Sequence, residues 1–167
     1  MGVVAGLGAA AAVAYFVFFV RSDEHEIRRA IARLAGAVEI HGDADVATRA
    51  TRLRNELRAV VAEDVRVTIQ DLPRVAQGRD EIAEAAEEAE LAFSTADIDV
   101  RDVDVQVDEA HVAAKAGIRA ALRAKSRTGE AQRDERDVDL LLRKDDGAWR
   151  ITSITVWPSG GAAADHH

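Results

Sequence analysis

The chain has no cysteine, two prolines and few aromatic residues, which make up 4% of its 167 positions. The missing cysteines exclude disulfides, thiolate zinc sites, thiol nucleophiles and lipid anchors attached through cysteine, while leaving the redox compartment open. A basic run is also missing. The chain carries 22 Lys plus Arg against 30 Asp plus Glu, a formal net charge of -8. Nucleic-acid binders draw most of their affinity from neutralising phosphates, so no nucleic-acid partner is expected. What is present, 48% hydrophobic and 31% charged residues, describes a globular domain rather than a disordered segment.

The few aromatics are unevenly placed. Tyr15, Phe16, Phe18 and Phe19 fall in the first twenty positions, and only Phe93, Trp149 and Trp157 lie beyond them. No charge interrupts Met1 to Val20, and twenty helical residues rise about 30 Å, the thickness of a bilayer's hydrocarbon layer. Residues 1–20 are therefore predicted to form a transmembrane helix. A cleaved signal peptide fits less well, because a positive n-region is missing and the apolar run continues past Ala12-Val13-Ala14 to Val20. Gly6 stands where a myristoylation signal starting at Gly2 calls for Ser or Thr, so lipidation is not indicated. Gly2, Gly6, Ala10 and Ala14 recur every fourth residue. That spacing gives a small-residue face on which two membrane helices can pack closely, although Gly and Ala are common in membrane helices generally. Arg21, Arg28, Arg29 and Arg33 follow the span, and by the positive-inside rule they place the domain in the cytoplasm. The rule compares them here with almost no N-terminal tail, and long domains cross largely regardless of charge.

After the span, Asp23 and Glu26 have the spacing of a helix-capping pair, followed by Ile27, Ile31, Leu34, Ala35 and Val38 at helical intervals. His41-Gly42-Asp43 breaks this helix. A second carries Val46, Leu53, Leu57, Val60 and Val61 on one side and is predicted to end at Asp64. Val65, Val67 and Ile69 alternate as a short strand before the Leu72-Pro73 turn. A third helix is predicted over 80–93, with Ile82, Ala86, Ala89 and Phe93 as its apolar stripe and Glu81, Glu84, Glu87 and Glu88 as a solvated face.

Beyond it the period changes to two. Val103, Val105 and Val107, then Val112 to Leu122, then Val138, Leu140 and Leu142 alternate with polar residues, as in half-buried antiparallel strands. Asp145-Asp146-Gly147 is a hairpin turn, and Trp149 to Trp157 closes the sheet before Pro158. Residues 21–158 thus form one α+β domain, with helices on a strongly curved antiparallel sheet. Residues 159–167 read as a disordered tail. The expected core holds Ile27, Ile31, Leu34, Leu53, Leu57, Val60, Phe93, Val105, Ile118, Leu140 and Ile151.

Three segments carry a resemblance: Leu57 to Val65, the helix start Gly78-Arg79-Asp80-Glu81-Ile82, and the hairpin Asp145-Asp146-Gly147-Ala148-Trp149-Arg150-Ile151. On these, the chain from about Asp23 to Trp157 resembles the nuclear transport factor 2-like superfamily, a cone-shaped fold shared with ketosteroid isomerases and polyketide cyclases. The resemblance speaks for fold rather than activity. It implies that an enzyme of this kind would hold an Asp beside a Tyr or His on the inner wall of the cone. This chain departs from that pattern, since its only tyrosine, Tyr15, lies in the expected membrane span.

His41 and Asp64 are the pocket candidates, against the plainer readings of a helix closure and a helix stop. No catalytic residue is assigned. No metal or cofactor is expected either, because His25, His41 and His111 lack ligand spacing and Asp165-His166-His167 reads as exposed tail. Asp102 to Val107 follows a calcium-loop pattern for three positions, then places Val107 where glycine is required. A single N-terminal span before this fold resembles the inner-membrane assembly subunits of type IV secretion systems and accessory proteins of actinobacterial lipid-import complexes. That architecture implies a single-pass cell-membrane protein with its domain outside the cytoplasm, acting as a non-catalytic binding or assembly module beside a protein partner or a second copy. A small-molecule isomerase or hydrolyase working in the cone pocket is the alternative.

Overall fold

The computed structural model describes residues 22–42, 45–71 and 74–159. The predicted membrane span, with Gly2, Gly6, Ala10 and Ala14, and all but the first residue of the predicted tail lie outside the described residues. Among the described residues no helix is long and apolar enough to cross a membrane.

Among the described residues three helices and six strands follow one another: α1 over 22–38, α2 Val46–Val60, β1 Val61–Ile69, β2 Arg74–Gln77, α3 Arg79–Ala92, β3 Phe93–Val107, β4 Ala113–Ser126, β5 Ala131–Asp145 and β6 Ala148–Pro158. They build one α+β unit whose sheet has the order β2-β1-β6-β5-β4-β3. The sheet is mixed, which corrects the antiparallel expectation. β3 to β6 form an antiparallel meander, but β1 runs parallel to β6, with Val67 opposite Ile154 and Ile69 opposite Val156. A parallel pair needs a long crossover, and everything from β2 to β5 supplies it. Alternation of apolar residues is the same in either strand direction, so the sequence pattern is silent on this point.

α2 ends at Val60 rather than Asp64, and the chain enters β1 directly. Val61 and Ala62 are buried, Glu63 and Asp64 are exposed, and Val65 is buried again, while the pairing with β6 shifts register between Val61 and Arg66. A bulge of this kind puts neighbouring residues on one side of a strand. Read along the sequence, it imitates helical periodicity. Asp64 consequently sits within a strand.

α3 is close to its predicted span and starts after Gly78, whose φ of +86° no side-chain cap accompanies. Glu81 reaches back to accept the Gln77 N–H at 2.8 Å. At the last hairpin, Asp146 (φ +50°) and Gly147 (φ +79°) turn the chain between the paired Asp145 and Ala148. This is the left-handed two-residue turn that matches the twist of the strands.

The core is laid down in three clusters. Ile27 and Ile31 of α1 pack on Ala114, Ala116, Leu140, Leu142, Trp149 and Ile151 of the sheet. Ala30, Leu53, Leu57, Val60, Val65 and Ala83 knit the three helices to β1. Ile40, bridged to Ala96 by two backbone hydrogen bonds, closes the far end with Ala124. Of the expected core, Ile27, Ile31, Leu53, Leu57, Val60, Leu140 and Ile151 are buried. Leu34, Phe93, Val105 and Ile118 are half-buried. For Leu34 and Ile118 the reason is that they line a cavity.

Candidate functional site

The helices do not fill the concave face of the sheet. Between α1, α3 and the sheet lies a cavity of about 630 Å³, walled by Ile31, Leu34 and Val38 of α1, Val67 and Ile69 of β1, Ile98 and Val100 of β3, Ile118 and Ala120 of β4, Val138 and Leu140 of β5, and Ile154 and Val156 of β6. Every one of these side chains is aliphatic, because the inward positions of all the strands carry the apolar half of the period-two pattern. The size falls in the range of small-molecule pockets, about 300–1,000 Å³. Among the described residues the only polar side chains on the lining are Glu81, Glu84 and Glu88 of α3, all solvent-exposed and hence at the cavity's open edge. Helical spacing of three and four sets them one above another. Of the other acids of this helix, Glu87 is engaged with Arg54 and Glu90 with Arg49.

Neither sequence-chosen candidate lies on this wall, and the two are not brought together. His41 has a side chain 62% exposed, 3.6 Å from Glu39 and 3.8 Å from Asp97, beside a hollow of about 50 Å³ shared with Arg49 and Glu90. Asp64 is exposed and borders a separate, polar groove with Arg79, Arg143, Lys144 and Arg150. No cluster of acidic or histidine residues with the arrangement of a metal site occurs among the described residues.

Asp23, whose spacing from Glu26 predicts a helix cap, belongs instead to a polar cluster with Lys144, Trp149 and His111. Asp23, with a side chain only 3% exposed, accepts hydrogen bonds from Lys144 Nζ at 2.7 Å and Trp149 Nε1 at 2.9 Å on one oxygen, and faces His111 Nδ1 at 2.9 Å on the other. Burial alone would raise its pKa, but the hydrogen bonds from Lys144, Trp149 and His111 together with the Lys144 charge hold it below the ordinary carboxylate value. Lys144 also lies 5.5 Å from the centre of the Trp149 ring. His111 and Lys144 come from two adjoining hairpins that are themselves joined by the Lys144 N–H to Val112 carbonyl bond of 2.9 Å. The 108–112 turn is held by Asp108, which accepts the Val112 and Ala113 N–H groups at 2.9 and 3.0 Å. These bonds lower the Asp108 pKa. The cluster therefore fastens the start of α1 to the sheet. No sequence spacing reveals it, because Asp23 lies 88 positions from His111, 121 from Lys144 and 126 from Trp149.

The opposite face of the sheet is polar. Arg119 joins Asp137 at 3.4 Å and Asp102 at 3.2 Å, and Trp157 Nε1 donates to Asp139 at 2.8 Å. These cross-strand pairs lie outside the cavity.

With this geometry, the chain has the cone-shaped fold of the nuclear transport factor 2-like superfamily. A protein of Kribbella flavida superposes with a TM-score of 0.70 at 14% identity, covering 84% of this chain and 93% of its own. An NTF2-like protein with a cystatin-like fold from Novosphingobium aromaticivorans gives a TM-score of 0.65 at 19% identity over 98% and 95% of the two chains. A hexachlorocyclohexane dehydrochlorinase, LinA type 2, gives 0.66 at 9% identity over 81% and 84%. At such identities the likeness is one of fold. No family profile matches the chain, and no curated protein matches it in sequence.

Proposed function

We propose that this protein is a membrane-tethered, non-catalytic binding module of a membrane complex, and that its cone cavity receives an apolar molecule. The observation that carries the reading is the wall itself. Proton transfer needs an acid or base within hydrogen-bond reach of the reacting atom, and the described wall offers aliphatic side chains down to the sheet, with carboxylates only at its exposed edge. Burying an apolar ligand there gains roughly 25 cal/mol per Å² removed from water, and no polar group is stranded. An isomerase or hydrolyase would need one of Glu81, Glu84 or Glu88 as its base. The tether is the uncharged 1–20 segment, and the packing face of Gly2, Gly6, Ala10 and Ala14 supports a neighbour, either a partner's span or a second copy.

The test is titration of residues 22–159 with the neutral fluorophore N-phenyl-1-naphthylamine. Saturable binding is expected, weakened at least about tenfold by Ala120→Phe, which fills the cavity from β4, at unchanged folding. Binding indifferent to Ala120→Phe would contradict the reading.

A further inference from the structure

We propose that the cavity selects an elongated apolar molecule bearing one cationic end, its hydrocarbon lying against Ile118, Val138, Leu140 and Val156 and its cation against the carboxylates of Glu81 and Glu84. The inference rests on the cavity being a binding site and adds the chemical class of its ligand. Two independent features define that class. Among the described residues the interior presents no side-chain donor or acceptor, so a polar group carried inside would lose its water without replacement. At the open edge the described side-chain charge is negative. Glu84 makes no hydrogen bond or ion pair with a described residue, and Glu81 accepts a single backbone N–H, from Gln77, which leaves acceptor capacity on both. An ammonium group can therefore be met at the edge by two carboxylates while its chain remains in hydrocarbon. An anionic head would meet like charge there, and an uncharged one would gain little. The net charge of -8 favours approach of a cation over an anion in the same sense.

The experiment uses the full-length chain in lipid nanodiscs and three decyl probes with a photoactivatable diazirine near the chain end: an ammonium, an alcohol and a sulfate. Labelling of β4 and β5 peptides by mass spectrometry gives a half-saturation concentration for each probe. Each probe is compared only with itself between the native chain and Glu81→Gln/Glu84→Gln, so partition into lipid cancels. The ammonium probe is expected to need about 3–10-fold more for half-saturation in the variant, since two exposed ion pairs are modest contributors. That difference should shrink as salt rises. The alcohol should be unchanged, which also shows that the variant is folded, and Glu84→Lys alone should shift preference toward the sulfate. If the alcohol labels the wall but the ammonium is indifferent to both variants, the head-group inference is overturned while the cavity reading stands. If no probe labels the wall in the native chain, both fall.

Discussion

Asp23 shows how much one side chain can carry. Its carboxylate is buried and satisfied by three donors from two hairpins, so removing it leaves the Lys144 ammonium and the Trp149 N–H with nothing in return. Asp23→Ala is expected to cost about 3 kcal/mol, the scale of breaking a buried pair from one side, and Asp23→Asn somewhat less. The pH dependence has a definite sign. The folded-state pKa is held below the ordinary carboxylate value, so the unfolded chain takes up the proton more readily. The contribution is complete above the unfolded value of about 3.9 and disappears as pH falls through the folded one. Thermal unfolding of the native domain and Asp23→Asn from pH 7 to pH 2 should give a gap in Tm that is widest near neutrality and narrows below pH 4. A gap independent of pH would mean that the charge of Asp23 contributes nothing. Glu84 is the converse case, an exposed carboxylate whose removal should leave stability unchanged.

At the scale of elements, the clearest expectations concern the last hairpin and α2. A Cβ on Gly147 would meet nothing within 4 Å, and the backbone there has φ +79°. Gly147→Ala should therefore cost about 1–2 kcal/mol through conformation alone. Leu57, 1% exposed among the three helices and β1, should cost about 2–5 kcal/mol when truncated to Ala. Chemical denaturation of the two variants checks both values, and a neutral Leu57→Ala would contradict the packing of α2. Much of this was legible in the sequence because the elements obey simple periods: Ile27 and Ile31 at helical spacing, Val138, Leu140 and Leu142 alternating, and Asp146-Gly147 where a left-handed turn is needed. What was not legible required knowing neighbours. The bulge after Val61 disguised a strand as a helix end, the β1–β6 pairing runs parallel where alternation cannot distinguish direction, and Asp23 resembled a cap because its partners lie far along the chain. The cavity edge was hidden in the same way. Glu81, Glu84 and Glu88 read as a solvated face, which they are, and only the fold places that face at the mouth of an apolar space.

At the scale of the whole molecule, the proposed tether and the proposed binding cavity belong to one chain. Asp23 fixes the start of α1, directly after the predicted span, to the hairpins at 108–112 and 144–149, whereas the cavity begins at Ile31, about 12 Å further along that helix. Retention of the intact chain in the membrane fraction, with an unprocessed N-terminus, is the expected result for residues 1–20. Recovery in the soluble fraction, or a mature chain starting after Ala14, would remove the tether from the account. Gly6→Ile and Ala10→Ile should each weaken crosslinking between spans without preventing insertion, because a bulky side chain holds the two backbones apart. The central claim, that an apolar molecule is taken up inside the cone and nowhere else, is tested most directly by methyl NMR of residues 22–159 titrated with decanol. Shifts are expected at Leu34, Ile98, Ile118, Leu140, Ile154 and Val156, with Leu53, Leu57 and Val65 unmoved. Shifts concentrated around the hollows beside His41 and Asp64, or none within the cavity at saturation, would contradict it.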